Sequence, residues 1–416
     1  MLGTLHIARA ARFSAYLAVT LSAAACDVVR DPAPSDGRPP GAGRTADGGI
    51  DPNASSGDAG LPDIDAGPCG LGGLTGRACA PDRATAVSSA TVTLEGTDCA
   101  GSLYRLDGRS GSDGRWSFSN VPSGEATLTI TVGSYVQRQT VRVTAGVTTA
   151  LVDAKTCFNP QSVRMAVVTG QGDKIEDFLT ALGFSPDVID GKPTSSRPIP
   201  PAAAFLADAS RLGQYQIVFI DCAAFTRNDR LDLGPSTTAI LQNLRAFVLA
   251  GGSLYGSDWA GVILARAFPD DVGLRLASGG DTHASPIQLP FTTTALIGFS
   301  EQQIAATVPN AALAAYLGGS SVTITFPRSP PSNHWALLAP SPANVSNDIV
   351  GPALPCASSS CASPASAPLP DVPLSISFRA DPTRTRGGNV VFTSFHNLAQ
   401  STDDVKHILE HLIFRL

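Results

Sequence analysis

The sequence predicts a multidomain chain in which an antiparallel β-sandwich is followed by a doubly wound α/β domain with a long insertion. The length of 416 residues is enough for two or three domains of ordinary size. Short runs of alternating polar and apolar residues occupy 74–154, which is typical of antiparallel strands. From Val163 onward, apolar strands alternate with amphipathic helices, which is typical of a parallel sheet.

The charge balance excludes one class of partner. The chain carries 29 Lys and Arg against 35 Asp and Glu, a net charge of −6. A nucleic-acid binder needs an excess of basic residues to neutralise phosphates, so no nucleic-acid partner is expected. Beyond the amino-terminal region no apolar run reaches the roughly 18 residues of a membrane span.

The first 68 residues predict export and tethering. A cationic start precedes the apolar stretch 13–25, which ends in small residues, and this pattern indicates a secretory signal peptide over 1–25. The run Leu21–Cys26 resembles the lipobox of bacterial lipoproteins. That resemblance implies an exported protein of the bacterial cell envelope, bound to a membrane through a lipid on Cys26; cleavage without lipidation is the alternative. Residues 26–68 also include a segment rich in Gly, Pro and Asp, expected to be a disordered linker.

The second segment, 69–158, is predicted to be the β-sandwich. Clean alternation over Ala126–Val132 and a tight Asp-Gly turn indicate antiparallel strands. The strand Ala90–Gly96, followed by Ser112–Phe118 and Asn120–Glu125, resembles the carboxypeptidase regulatory-like, prealbumin-type domain. The resemblance implies a non-catalytic accessory or adhesive module.

Cysteine usage agrees with an oxidising compartment. Four cysteines bracket the predicted sandwich and allow three pairings into two disulfides: Cys69, Cys79, Cys99 and Cys157. Cys356 and Cys361 are expected to close a small loop. Cys222 ends an apolar strand and is expected to be a reduced, buried, small apolar side chain. The chain lacks zinc-type spacing such as Cys-x-x-Cys, so neither a metal site nor a cofactor is expected.

The last segment, 159–416, is predicted to be doubly wound, with an insertion at about 270–385. The predicted strands and helices around the insertion are Val163–Thr169, Asp173–Gly183, Gln216–Asp221, Ser236–Ala250, Asn389–Ser394 and Thr402–Phe414. The stretch Leu244–Asp258 resembles the class I glutamine amidotransferase-like family, which has a flavodoxin-like fold. That family places a cysteine nucleophile on a tight elbow after this strand, and a histidine and a glutamate near the last strand.

At the matching positions this chain has Asp258 for the cysteine, His396 for the histidine and Leu398 for the glutamate. A glutaminase forms a thioester, which requires a thiolate, so the resemblance implies a domain without glutaminase activity. In an open parallel sheet, ligands bind beyond the carboxyl ends of the strands. The residues expected at that edge are Asp221, Ser257, Asp258, Trp259, His396 and Asn397.

Three interpretations of this edge remain open. In the first, the edge is a degenerate pocket that binds a polar ligand or an envelope protein partner. In the second, it is a hydrolase site, with Asp258 as nucleophile or base and His396 as acid and base. In the third, it is a structural edge, where Asp258 caps the next helix. The preferred function is an envelope-tethered, non-catalytic binding protein. The alternative is an envelope hydrolase acting on carbohydrate or amide substrates, which needs His396 within hydrogen-bond reach of Asp258 around an open cavity.

One further motif is a literal H-x-x-E-H match from His407 to His411, a zinc-peptidase pattern. The periodicity of the final helix places both histidines on its solvent face. No downstream acidic ligand follows, so a solvated helix face is the preferred interpretation.

Overall fold

The computed structural model describes residues 69–292, 295–299, 302–326, 336–356, 367–381, 388–397 and 403–416. The predicted signal peptide, Cys26 and the linker lie outside these residues. These described residues form one compact unit. In the described part of the chain, no helix is both long enough and apolar enough to cross a membrane.

Seven strands build the first part of the described chain. They are β1 (Leu71–Arg77), β2 (Thr91–Thr97), β3 (Leu103–Arg109), β4 (Arg115–Pro122), β5 (Gly124–Val132), β6 (Tyr135–Val143) and β7 (Thr148–Ala150). They form two sheets, in the orders β4-β1-β7 and β3-β2-β5-β6. Buried residues of both sheets, among them Leu74 and Leu128, share one hydrophobic core. Gly114, with φ +77°, provides the predicted tight turn between β3 and β4.

One pairing departs from the antiparallel prediction. β7 lies parallel to β1, whereas the other neighbours in these two sheets are antiparallel. The chain reaches the free edge of β1 only after it has passed through the other sheet, so β7 enters in the same direction as β1.

The disulfides tie this part together. Cys69 pairs with Cys99 and Cys79 pairs with Cys157, with Cα–Cα distances of 5.7 and 4.3 Å. This is one of the three pairings that the sequence left open. Cys356 is disulfide-bonded, and Cys361, its expected partner, lies outside the described residues. Cys222 is a free thiol and is buried.

The remaining elements build a large sheet and its helices. The strands are β8 (Met165–Thr169), β9 (Asp187–Asp190), β10 (Ile217–Ile220), β11 (Thr226–Arg227), β12 (Arg230–Leu231), β13 (Ser253–Ser257), β14 (Phe291–Thr292), β15 (Gly298–Phe299), β16 (Gln302–Thr307), β17 (Ser321–Phe326), β18 (Ser346–Ala353), β19 (Pro355–Cys356), β20 (Leu369–Arg379) and β21 (Asn389–Thr393). The helices are α1 (Asp153–Thr156), α2 (Ile175–Ala181), α3 (Pro201–Ala207), α4 (Ala209–Leu212), α5 (Thr237–Leu249), α6 (Ala260–Ala267), α7 (Ala311–Leu317) and α8 (Asp403–Ile413), with a 3-10 turn at Gly234–Ser236.

The large sheet is mixed and has nine strands, in the order β17-β16-β18-β20-β21-β13-β10-β8-β9. The strands β9, β8, β10, β13 and β21 are parallel. When they are numbered by their position along the chain, they lie across the sheet in the order 2-1-3-4-5. The other four strands are antiparallel to their neighbours and come from the predicted insertion. The predicted α/β character is therefore confirmed, but the sheet is mixed, because the predicted insertion adds antiparallel strands to it. A short connection joins β20 to β21, and short connections join antiparallel neighbours.

Helices cover both faces of the parallel half. Along β8, Val167 points toward the core that includes residues of α2 and α8. Its neighbours Ala166 and Val168 point toward the core that includes residues of α3, α5 and α6. Successive side chains of a strand alternate between faces, so this buried run requires apolar cover on both sides.

The first part and the large sheet share a core. The rings of Tyr135, Phe158, Phe184 and Phe414 contact one another, with centroids 5.0 to 6.1 Å apart. The Ser134 N–H also donates to the backbone oxygen of Leu416, which follows α8. The division at residue 158 into two domains is not confirmed, because this aromatic cluster crosses it.

Candidate functional site

The candidate site lies at one edge of the parallel half of the sheet. Strands β8, β10, β13 and β21 are parallel, so their carboxyl ends meet at that edge. Each strand is followed closely by a residue with a titratable side chain: Asp173, Cys222, Asp258 and His396. Four segments distant in sequence are therefore brought together by the strand order.

Cys222, Asp258 and His396 form a closed triangle of polar atoms, which we call the buried cluster. The His396 Nε2 lies 2.8 Å from the Cys222 Sγ and 3.1 Å from the Asp258 Oδ2. The Cys222 thiol donates to the same Asp258 Oδ2 over 3.1 Å. All three side chains are buried, and Asp258 has no exposed surface.

Asp258 occupies a tight turn between β13 and α6. Its φ is +43°, a left-handed conformation that is unusual for a residue with a side chain. The Asp258 N–H donates to the Thr393 carbonyl over 2.8 Å, which holds the turn against β21. Asp258 does not cap α6, because that position is Trp259 and no side chain caps there. The interpretation of Asp258 as a helix cap is therefore wrong; its Oδ1 accepts the Ala336 N–H at 2.5 Å.

Cys222 is part of this polar network. Its backbone N–H donates to the Ser257 Oγ over 3.0 Å. Burial, together with the neighbouring Asp258 carboxylate, raises the pKa of the Cys222 thiol well above its usual range. The side chain is therefore a protonated thiol with a polar partner, whereas the sequence indicated a simple apolar contact.

Two further carboxyl groups lie beside the buried cluster. Asp173 accepts the Asn397 N–H over 3.3 Å, and burial raises its pKa, an effect that nearby His396 opposes. Asp221 is fully buried, and neither of its side-chain oxygens has a hydrogen-bond partner among the described residues. Burial and the charges of Asp173 and Glu176 raise the pKa of Asp221 to about 9. Asp221 is thus a neutral carboxylic acid at pH 7.

The structure places all six predicted edge residues at this edge but presents little of them to solvent. Five are buried: Asp221, Ser257, Asp258, Trp259 and His396. Asn397 is half-buried, and its amide nitrogen lies 3.5 Å from the Tyr255 hydroxyl. Sequence reasoning missed Cys222 and Asp173 as members of this site. The available signal was their position just after buried parallel strands.

The loop that contains Gly170 and Gly172 packs closely against the buried cluster. A Cβ at Gly172 would lie 2.9 Å from the Cys222 Sγ and 3.1 Å from the His396 Nε2. A Cβ at Gly170 would overlap the Cys222 carbonyl, at 1.8 Å. The backbone of this loop therefore contacts the cluster as closely as glycine permits and leaves no room for a substrate on that side.

A cavity of about 590 Å³ lies at the opposite edge of the sheet. Ser253 and Asn389, which begin β13 and β21, both line it. Its other polar lining residues include Arg379, Arg415, Tyr316 and His411. The six predicted edge residues are absent from its lining.

Only one of the two histidines of the H-x-x-E-H motif lies on the solvent face of α8, where both were predicted. His407 is half-exposed, and its Nδ1 lies 2.8 Å from the Oε2 of the buried Glu410. His411 is buried, and its ring centroid lies 5.3 Å from that of Tyr316. The prediction that both histidines face solvent is therefore wrong for His411, because α7 packs over that side of α8.

The chain matches no protein-family model and no curated protein. Among solved structures it is similar to "The Bacillus anthracis TIE protein", with 14% identity and a TM-score of 0.18, over 24% of this chain and 18% of that chain. It is also similar to the "Structure of PurLQS from Thermotoga maritima", with 13% identity and a TM-score of 0.32, over 61% of this chain and 98% of that chain. At these values the similarities assign neither a family nor an activity.

Proposed function

We propose that this chain is an envelope-tethered, non-catalytic binding protein. The observation that carries the proposal is the closure of the buried cluster. Both carboxylate oxygens of Asp258 are occupied, Oδ1 by the Ala336 N–H and Oδ2 by Cys222 and His396. A nucleophile has to be presented to a substrate, and here the side chains of Cys222, Asp258 and His396 are all buried, with the backbone of Gly172 packed against two of them.

The chemistry of the groups points the same way. A glutaminase needs a thiolate on the elbow, and the elbow residue is Asp258. Attack by its carboxylate on an amide would give an anhydride, a poor route to ammonia release. Cys222 does not replace the missing nucleophile, because burial keeps its thiol protonated and the Gly172 loop covers it.

The proposed architecture has three parts. A lipid on Cys26 anchors the chain, the first two sheets act as a carboxypeptidase regulatory-like β-sandwich spacer, and the large sheet belongs to a degenerate class I amidotransferase-like domain. The 2-1-3-4-5 order of the parallel strands supports the last of these. For the ligand we propose the cavity of about 590 Å³, whose lining includes Arg379, Arg415 and the carboxyl group of Glu410 and therefore suits a polar partner.

The hydrolase is the second candidate. It is favoured by the 3.1 Å contact between the His396 Nε2 and the Asp258 Oδ2, and by the strained turn at Asp258. The second requirement, an open cavity around the pair, is not met, since His396 is 8% exposed and Asp258 is 0% exposed. The non-catalytic function is therefore preferred.

We expect no ammonia release from glutamine by the wild-type chain. Asp258→Cys is expected to remain inactive, because the sequence has Leu398 where the family has glutamate and because the position of the introduced thiol is buried. The assay compares wild type, Asp258→Cys and Asp258→Cys/Leu398→Glu by coupled ammonia detection. Hydrolysis of glutamine, another amide or a glycoside by wild type that disappears in His396→Ala would contradict the non-catalytic proposal and support the hydrolase.

We expect Cys26 to carry the lipid anchor. Cells that produce the wild-type chain and are fed a clickable fatty acid should label it, and Cys26→Ala should lose the label. Cys222→Ala is the matched control, since a buried thiol should not affect labelling. Equal label on wild type and Cys26→Ala would show that the anchor is absent.

A further inference from the structure

Three side chains of metal-ligating type converge in the buried cluster. The Cys222 Sγ, the Asp258 Oδ2 and the His396 Nε2 lie between 2.8 and 3.1 Å from one another. In a tetrahedral zinc site, metal–ligand bonds of about 2.0 to 2.3 Å give ligand–ligand separations of about 3.3 to 3.6 Å. Outward movements of about half an ångström would therefore bring the three atoms to the separations found between zinc ligands.

We propose that Cys222, Asp258 and His396 bind one Zn²⁺ ion. One sulfur, one imidazole nitrogen and one carboxylate oxygen make a mixed ligand set that suits zinc. Ca²⁺ and Mg²⁺ prefer sets of oxygen atoms and do not match this one.

The charges of the occupied site balance. As the zinc–sulfur bond forms, the Cys222 thiol gives up its proton to solvent and becomes a thiolate. The two positive charges of Zn²⁺ are then matched by the thiolate and the Asp258 carboxylate, with His396 neutral. A buried site of zero net charge avoids the large cost of an uncompensated ion.

The surrounding structure already orients the ligands. The Ala336 N–H holds the Asp258 Oδ1 and leaves Oδ2 directed at the other two ligands. The Ser257 hydroxyl holds the backbone of Cys222. Hydrogen bonds of this kind fix ligand orientation in metal sites and affect metal affinity by about 10- to 100-fold.

Two other places in the described chain are weaker candidates. Cys79, Asp153 and Cys157 also lie close together, but the two sulfurs form a disulfide and are not available as thiolates. In the H-x-x-E-H helix, the half-exposed His407 bonds to the buried Glu410, while His411 is buried against Tyr316. These two places supply the controls for the test.

The test is metal binding by the full chain, purified without a polyhistidine tag and with its disulfides intact. We expect one Zn²⁺ per chain after loading and dialysis, measured by elemental mass spectrometry. Replacement by Co²⁺ should give a thiolate-to-cobalt charge-transfer band in the near ultraviolet. Cys222→Ser should remove that band and weaken zinc binding at least about tenfold in competition with a chromophoric chelator. This readout does not depend on the proposed function, because metal content is independent of turnover.

A second pair of variants keeps all three ligands. Gly172→Ala places a methyl group 2.9 Å from the Cys222 Sγ and should weaken zinc binding by crowding the ligands. Gly319→Ala meets nothing within 4 Å and should bind zinc as wild type does. His407→Ala should also leave binding unchanged. A wild-type chain that retains no zinc, or a Cys222→Ser variant that binds it as tightly as wild type, would overturn the proposal.

Discussion

Asp258→Ala is expected to lower the melting temperature of the protein by roughly 5 °C or more. The substitution removes three hydrogen bonds to Asp258, from the Cys222 thiol, the His396 ring nitrogen and the Ala336 N–H, although Cys222 and His396 still contact each other. A lost hydrogen bond costs about 1 kcal/mol, so the total loss is about 3 kcal/mol. Alanine also tolerates the φ of +43° poorly. Thermal unfolding followed by circular dichroism, in the presence of a chelator, measures the change.

The matched control for this prediction is Asp258→Asn. Asparagine has nearly the same shape, accepts a hydrogen bond through its oxygen and adopts positive φ more readily than alanine. Its melting temperature should lie between those of wild type and Asp258→Ala. A melting temperature of Asp258→Ala equal to that of wild type would show that the hydrogen bonds of Asp258 contribute nothing to stability. It would also weaken the argument that both carboxylate oxygens of Asp258 are occupied.

Acidification from pH 7 to pH 4 is expected to destabilise the protein by about 3 kcal/mol through His411 alone. Burial, reinforced by the positive charge of Arg415, lowers the pKa of His411 from 6.5 to about 4. Below pH 6.5 the unfolded chain binds a proton that the folded chain does not, so stability is full above pH 6.5 and is lost as the pH falls toward 4. Two other titratable groups lie next to His411: Tyr316, whose ring faces it from α7, and Glu410, which precedes His411 on α8.

The test compares melting temperatures of wild type and His411→Phe from pH 7 to pH 4. Phenylalanine keeps a ring against Tyr316, has no proton to bind, and can extend into the cavity that His411 lines. The variant should therefore lose less stability on acidification than wild type. Gly319→Ala is the control, because its methyl group meets nothing within 4 Å and adds no titratable group, so its acid response should match wild type. Parallel curves for wild type and His411→Phe would contradict the assignment.

The core of the parallel sheet was predictable because its strands are continuous apolar runs. Residues 163–169 predicted β8, and 389–394 predicted β21, each to within two residues at either end. Strands buried on both faces need apolar residues at every position, and that signal is strong. The elbow position was also predictable, since the resemblance places a tight turn at Asp258, where the chain adopts a positive φ.

The rest of the sheet and the partners in the site were not predictable in this way. Among the four added strands, Ser321–Phe326 has a regular alternation that is typical of a strand. β20 carries the proline-containing start Leu369–Pro370, which resembles a loop. Cys222 looked like an ordinary apolar strand end, and only the neighbouring strand brings Asp258 within 3.1 Å of its sulfur. Such a contact depends on strand order, which no local pattern contains.

The Cys79–Cys157 disulfide changes how a pulling force would travel through the molecule. A tether on the amino-terminal side and a partner held by the large sheet would load the chain in series. Six strands, from β2 to β7, lie between these two cysteines, and the sulfur–sulfur bond carries the load past all of them. The 78-residue separation corresponds to roughly 260 Å of extended chain that cannot be drawn out while the bond is intact. An oxidising envelope would thus keep the spacer at fixed length under tension, and reduction would let it lengthen.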